Sequence, residues 1–343
     1  MSDSPPSKLY NTAVVGASGM VGQEFLQIMT ARKFPVGNLK LLATSRSAGK
    51  KLLVGEREFE VEETNRQSFE ACDLAFVSAT SNASREYCPV AAKAGAIAID
   101  DSSVFRMDPN VPLVVPEVNP DDVANHQGII AIPNCTTTPL VMCLWPLHRV
   151  NPIKRVIVDT YQSVSGTGAA AVQELDAQAR RILDGGETVP HVYPHQIAFN
   201  LLPEIDSFRD DGYTKEEWKI AVETRKIMHD ESIAISATCV RVPVFVSHSE
   251  AVHVEFSRPM SPDEVRDILS HAPGVVVQDD PAVSLYPHPW SAAGQDPVYV
   301  GRIRKDTSHS NGIALWLVGD NLRKGAALNA IQIAEELIAR DLI

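Results

Sequence analysis

Residues 12–32 read TAVVGASGMVGQEFLQIMTAR. The short apolar run ending in Gly16 predicts a buried strand. The residues after Gly19 place their apolar side chains at helical spacing. Gly16, Gly19 and Gly22 mark the junction as G-x-x-G-x-x-G. Glycines there let the backbone approach a pyrophosphate, whose charge faces the N-terminus of the helix. A tight turn without a ligand is the plainer reading, but the strand–turn–helix context favours the dinucleotide. A chain that begins this way points to a parallel sheet with helices on its faces.

The alternation continues through the first part of the chain. LKLLAT (39–44), DLAFVSA (73–79), AIAID (96–100) and GIIAIP (128–133) read as further strands. REYCPVAAKAGA (85–96) reads as a helix with Pro89 in its first turns. After Cys135 the pattern changes. Residues 153–164, 237–246, 250–257, 298–305 and 312–319 are longer strands, and EAVHVEFS alternates strictly. Such runs predict a mostly antiparallel sheet with one exposed face. Helices are expected over roughly 167–184 and 214–229, with a long ordered loop at 185–213. A final amphipathic helix begins at NLRKGAALNAIQIAEELIARDLI and is expected to return to the first domain. With 343 residues, two domains are the natural division.

The formal net charge of −12, with no basic block, argues against nucleic acid and anionic membrane as partners. No apolar run approaches the ~18 residues of a membrane span. The polar start MSDSPPSKLY has neither signal-peptide nor transit-peptide layout, so a soluble cytoplasmic protein is expected. Five cysteines, an odd number without CxxC, suggest neither a disulfide framework nor a metal site, and fit a reducing compartment.

Two stretches carry chemistry. An NAD site usually places an acid near the end of the second strand. Here Thr44, Ser45, Arg46 and Ser47 follow that strand, with no acid until Glu56, so NADP is expected over NAD. The plain alternative for Arg46 is a solvated loop arginine. The second stretch is IPNCTTTPL (132–140). A catalytic thiol needs a lowered pKa. Pro139 fits the first turn of a helix, so Cys135 sits at a helix N-terminus, where the dipole stabilises a thiolate and free N–H groups could hold an oxyanion. Cys72, Cys88, Cys143 and Cys239 read as core.

Taken in order, the segments VVGASGMVG, SRSAGK, DDSSVFR, PEVN, PNCTT, YQSVSGTG, HQIAFN, EEWK, VRVPV, SHSE and GDNLRKGAA resemble the aspartate-semialdehyde dehydrogenases over nearly the whole chain. The resemblance implies a Rossmann-type NADP-binding domain (1–134 and 320–343). It also implies an α+β catalytic and dimerisation domain with a mostly antiparallel sheet (135–319), glyceraldehyde-3-phosphate-dehydrogenase-like, in a homodimer. SATSNAS (78–84) departs from the family's more glycine-rich turn. The implied reaction is L-aspartate 4-semialdehyde + phosphate + NADP⁺ ⇌ 4-aspartyl phosphate + NADPH through a cysteine thioester, in lysine, methionine, threonine and diaminopimelate biosynthesis.

The resemblance also implies roles. Cys135 is the nucleophile, His248 the acid/base and Gln162 the residue orienting the thioester. Arg241 takes the substrate α-carboxylate, a two-pronged match for guanidinium. Asn134 belongs to the same site. Glu216 takes the ammonium, and Lys219 and Arg106 take phosphate. Cofactor contacts are implied at Gly16, Ser18, Gly19, Met20, Val21, Arg46, Ser47, Ser165, Gly166 and Asn321.

From the residues alone, Thr214 and Glu217 form a capping box, and Glu216 and Lys219 share a helix face as a surface ion pair of small worth. His253 reads as a strand residue facing solvent or core, and His195 as structural. Two rival readings are an N-acetyl-glutamyl-phosphate reductase, for which an acid in Glu216's role would be unnecessary, and a non-catalytic NADP-binding paralogue. Retention of Cys135, His248 and Arg241 weighs against the second.

Overall fold

A computed structural model describes residues 8–343. The first seven residues, which carry most of the expectation about a leader, lie outside the described residues. The chain divides into two compact units. One is built from residues up to Pro133 together with Ala326–Ile343, the other from Asn134–Gly325.

The first unit contains β1 (Tyr10–Val15), α1 (Met20–Ala31), β2 (Val36–Ala43), β3 (Lys51–Val54), β4 (Arg57–Glu63), β5 (Leu74–Val77), α2 (Ser81–Lys93), β6 (Ile97–Asp100) and β7 (Ile129–Ala131). Its sheet runs β3-β4-β2-β1-β5-β6-β7. Every pairing is parallel except β3 with β4. Successive strand residues point to opposite faces, and β1 shows it. Val14 packs with Phe25, Met29 and Phe76, whereas Ala13 and Val15 pack with Cys88 and Ala91 of α2.

Sequence reading does not anticipate the β3–β4 hairpin. Its signal is the alternation EFEVE at 58–62 and a turn at Gly55, whose φ is +60°. Helix α2 begins four residues before the expected start, because Thr80 caps it by accepting from the Ala83 N–H at 3.4 Å. Pro89 therefore falls inside α2 rather than in its first turns.

The second unit contains α3 (Thr137–Val150), β8 (Ile153–Gln162), α4 (Ala169–Leu183), α5 (Lys215–Met228), β9 (Ala234–Arg241), β10 (His248–Phe256), α6 (Pro262–Ser270), β11 (Val275–Val277), a single turn α7 (Pro289–Ala292), β12 (Val298–Lys305) and β13 (Gly312–Gly319). Sheet order is β11-β12-β13-β10-β8-β9. The three inner pairings are antiparallel and the two outer ones parallel. β9 ends at Arg241, not at 246, because Pro243 follows and has no N–H for the ladder. Along β10, His248, Glu250, Val252, Val254 and Phe256 are buried, while Ala251, His253 and Glu255 are half-buried on the other face.

The long segment before α5 has no helix or strand of its own. It is held by side chains of α4: Glu174 accepts the N–H groups of His191 and Val192, and Gln178 those of Ile197 and Ala198. The last helix, α8 (Leu328–Ala339), follows a π-turn at Arg323–Ala327 and buries Ile331, Ala334 and Leu337 in the first unit's core. Among the described residues, no helix is long and apolar enough to cross a membrane.

Candidate active site

Register brings the second unit's polar residues to one rim of its sheet. Gln162 at the end of β8 pairs with Arg241 at the end of β9. His248 opens β10 opposite Gly319 of β13. Ser249 faces Tyr161, which sets His248 beside Gln162. Arg241, Gln162 and His248 thus form one row across three strands. The next row, Cys239, Thr160 and Glu250, is half polar, and the one below it, Ala237, Val158 and Val252, is apolar. All three rows are buried.

Helix α5 supplies the carboxylates. The expected capping box is present, Thr214 accepting the Glu217 N–H and Glu217 accepting the Thr214 N–H. That box fixes the first turn and so the aim of Glu216. Glu216 is 5% exposed, not a surface residue. Its Oε1 accepts from Asn134 Nδ2 at 2.9 Å and Gln162 Nε2 at 3.0 Å, and its Oε2 meets Lys219 Nζ at 2.6 Å. Burial would push the Glu216 carboxyl up, but Lys219's charge and these hydrogen bonds outweigh it and hold the group down at about 2. Lys219 also reaches Asp206 at 3.3 Å.

Two turns along the same helix, Glu223, 1% exposed, accepts the backbone N–H of Asn134 at 2.7 Å. Sequence reading misses Glu223; its only signal is its spacing of seven from Glu216, which keeps both on one helical face.

Asn134 in turn orders the loop that carries Cys135. Its Oδ1 accepts from the N–H and the hydroxyl of Thr136 at 2.9 and 2.7 Å. Cys135 Sγ lies 3.8 Å from the same oxygen, just before α3. Gly325 packs on Cys135 so closely that an added Cβ would lie 3.0 Å from the cysteine Cβ. Cys135 is the half-exposed cysteine. Cys72, Cys88, Cys143 and Cys239 are buried, and burial raises each of their thiol pKa values. With the dipole of α3 at its back, Cys135 has the setting of a thiolate.

On the rim, Arg241 is 5% exposed and donates from Nη1 to the Ser163 carbonyl at 2.8 Å. His248 is 1% exposed, and the Ser163 N–H donates to its Nδ1 at 3.0 Å. Burial, reinforced by the Arg241 charge, depresses the imidazole pKa to about 3, so the ring is neutral at physiological pH. Its Nε2 is buried without a hydrogen-bond partner among the described residues. A Cβ on Gly166 would lie 3.1 Å from Arg241 Nη1 and 3.2 Å from His248 Nε2, so glycine keeps the space before both groups open. Asn321 uses its Oδ1 to join two loops, accepting from Ser163 Oγ and Ser165 Oγ of one and the Ser247 N–H of the other at 3.2, 3.0 and 2.9 Å. His253 pairs with Asp306 at 2.8 Å on the outer face, and His195 is exposed.

In the first unit, Gly16, Ser18, Gly19, Arg46 and Ser47 line a cleft of about 410 Å³, with Ser78, Ala79 and Thr80 opposite. Gly16 has φ +83°, and a Cβ there would run into the Ser78 carbonyl; a Cβ on Gly22 would run into the Gly16 carbonyl. No acid stands in the first turn of α1. These are the features of a pyrophosphate cradle, and the residues fit a dinucleotide. Glu63, at the end of β4, also borders the cleft, an acid that arrives on the unanticipated hairpin. Met20 and Val21 do not line the cleft, and Val21 packs into the core. Arg106 is buried in this unit and donates from Nη2 to the Asp101 carbonyl at 2.9 Å. Ser78 Oγ donates to the Asp101 carboxyl, whose pKa burial raises to about 6.

Residues 11–126 match the NAD binding domain of semialdehyde dehydrogenases, and residues 144–324 match their dimerisation domain. The aspartate-semialdehyde dehydrogenase of Aquifex aeolicus is 52% identical over 97% of this chain and 99% of its own, and that of Bacillus subtilis 47% over 97% and 99%. A crystal structure of aspartate semialdehyde dehydrogenase II from Vibrio cholerae, complexed with ASA, superposes with a TM-score of 0.95 at 44% identity, over 97% of this chain and 99% of its own. A Candida albicans enzyme with NADP superposes at 0.76 with 26% identity, over 98% and 100%.

Proposed function

This chain belongs to the aspartate-semialdehyde dehydrogenase family, and from that premise we propose how its residues interconvert L-aspartate 4-semialdehyde and 4-aspartyl phosphate. The chain is an NAD(P)-dependent oxidoreductase of amino-acid biosynthesis. The observation that carries the reading of the site is the buried cluster Asn134–Glu216–Gln162 beside Cys135, on the same rim as Arg241 and His248.

In this reading the Cys135 thiolate adds to the aldehyde carbon, and Gln162 steadies the resulting thioester. Arg241, with its guanidinium before Gly166, takes the α-carboxylate. Glu216 keeps a lone pair on Oε2 beside Lys219 for the ammonium. That acid has no work in the N-acetylated substrate of the rival reductase. Lys219 and Arg106 receive phosphate. A nicotinamide dinucleotide, when bound, supplies the hydride acceptor. Gly16, Ser18 and Gly19 would hold its pyrophosphate. We assign the enzyme to the cytoplasm and to a homodimer formed through the second unit.

Phosphate decides the route. The expected result is steady NAD(P)H formation from the aldehyde only when inorganic phosphate is present, and a single stoichiometric burst without it. Steady turnover without phosphate would exclude the acyl-phosphate product.

Arg46, exposed at the cleft, makes NADP the favoured cofactor because a 2′-phosphate pairs with guanidinium. Arg46→Ala is expected to weaken NADP binding by about tenfold or more and leave NAD binding unchanged, read by cofactor fluorescence titration. Equal weakening of both would return the choice to Glu63 and NAD.

A further inference from the structure

We propose that Asp101 sets the preference between the oxidised and reduced forms of the cofactor, its carboxylate standing behind Ser78 in the half of the cleft that receives the nicotinamide. For the cofactor class this rests on the functional reading above. The strand order β4-β2-β1-β5-β6-β7 is that of a doubly wound sheet, in which a dinucleotide lies across the carboxyl ends of the strands. Its pyrophosphate sits at the turn after β1, beside Gly16 and Gly19. Its adenosine half runs toward the end of β2, where Arg46 stands. The nicotinamide half then runs the other way, over the ends of β5 and β6. Ser78 follows β5 and lines the cleft, and Asp101 follows β6.

Three hydrogen bonds fix Asp101 in that place. Its N–H donates to the carbonyl of Val77, the last residue of β5, at 2.9 Å. Its Oδ2 accepts from Ser78 Oγ at 2.9 Å, and its carbonyl accepts from Arg106 Nη2 at 2.9 Å. The Ser78 carbonyl in turn lies against Gly16, too close for a Cβ to fit between them. The half-buried carboxyl is thus one hydrogen bond from the cleft, and it cannot swing away without giving up Ser78. The charged groups around it are few. Arg106 partly offsets it, and Asp100 turns to the interior, where Ser102 Oγ donates to it at 2.7 Å. Toward α1 and α8, Asp101 borders a cavity of about 20 Å³, in which it is the one titratable group among the described residues. Arg46, Glu63 and Tyr87 border the cleft itself. A nicotinamide ring is positively charged when oxidised and neutral when reduced. A carboxylate in a partly dry site therefore attracts one form and not the other, and a neutral residue there would not discriminate. Burial pushes the Asp101 carboxyl up to about 6 against the pull of Arg106 and Ser78, so it is ionised at physiological pH and takes up its proton in mild acid.

The test is fluorescence titration of the intact protein with NADPH, and with NADP⁺ by displacement, between about pH 5.5 and about pH 8. The quantity read is the dissociation constant of NADP⁺ divided by that of NADPH. Arg46, Glu63, Tyr87 and the cofactor's own phosphates meet both forms and cancel in that ratio. The ratio should fall about fivefold as pH rises through about 6, where the carboxylate gains its charge. Asp101→Asn keeps an oxygen for Ser78 and loses the charge. Its ratio should stay at the acid value throughout, about fivefold above that of the unsubstituted protein at pH 8. In Ser78→Ala the fall should remain but move to higher pH, because a bond that favours the ionised carboxyl is gone. Equal ratios at pH 8 in Asp101→Asn and the unsubstituted protein would overturn the assignment, as would a ratio in the unsubstituted protein that ignores pH. Should Asp101→Asn fail to fold, the Ser78→Ala midpoint decides, and an unmoved midpoint overturns it. Failure of both forms to bind would sink the dinucleotide reading and this assignment together. Binding of both without turnover of aldehyde and phosphate would sink the reaction assigned above and leave the ratio standing.

Discussion

Cys135→Ser should lower phosphate-dependent NAD(P)H formation by ~10⁴-fold or more, with the thermal midpoint close to that of the unsubstituted protein. A serine hydroxyl stays protonated where a thiol at a helix N-terminus does not. None of the other thiols can stand in, since all four are buried with raised pKa values. The stability expectation follows from exposure: Cys135 is half-exposed, and its sulfur has a 3.8 Å contact with Asn134, too long to carry much folding energy. Intact-protein mass spectrometry after incubation with aldehyde and dinucleotide, without phosphate, gives a second readout. The acyl adduct should appear on the unsubstituted chain and be missing from the serine variant. A variant that turns over normally would end the thioester mechanism.

Glu216→Gln should cost about 3 kcal/mol of stability at neutral pH and about 100-fold in kcat/KM. The carboxylate is nearly fully buried and joins three groups, Asn134, Gln162 and Lys219. Its neutral replacement leaves the Lys219 ammonium facing an amide, with the Asp206 carboxylate still 3.3 Å away. The sign of the pH dependence follows from the lowered pKa. The contribution of Glu216 is complete above its unfolded value near 4.5 and is lost as pH falls toward about 2, where the folded carboxyl takes up its proton. Denaturant midpoints of the two proteins should therefore differ at pH 7 and converge in acid. Equal midpoints at pH 7 would show that the cluster binds substrate without supporting the fold.

Much of this site can be read in the sequence, and the unread part has a common cause. The glycine turn is local: a strand, three spaced glycines and a helix lie within about twenty residues, so period and turn chemistry declare it. Cys135 declares itself the same way, through the helix that begins two residues later. The capping box at Thr214 is local too, and it forms. At Glu216 local spacing alone gives the wrong weight. The i,i+3 spacing with Lys219 is correct, but spacing cannot tell a solvated face from one covered by Asn134 and Gln162, which come from far away in the chain. Glu223, Ser163 and Gly325 act through contacts that no window of the sequence contains. Nothing in VSHSE alone selects His248; only the pairing of β10 with β8 and β13 puts it beside Gln162. The β3–β4 hairpin escapes local reading for a different reason. The alternation of β4 is legible, but most of its residues are charged, and the apolar run of β3, Leu52 to Val54, is only three residues long.

The row of Arg241, Gln162 and His248 gives this site a parity. Each residue added to or removed from β10 moves its side chains by about 3.4 Å and turns them to the opposite face. Loss of one residue inside that strand would carry the imidazole to the outer surface, where His253 now pairs with Asp306. Loss of two would return it to the inner face but about 7 Å along the sheet, level with Glu250 and Thr160. Length variation among descendants of such a chain is therefore confined to the connections, and the strands that carry the chemistry can change in composition but not in count.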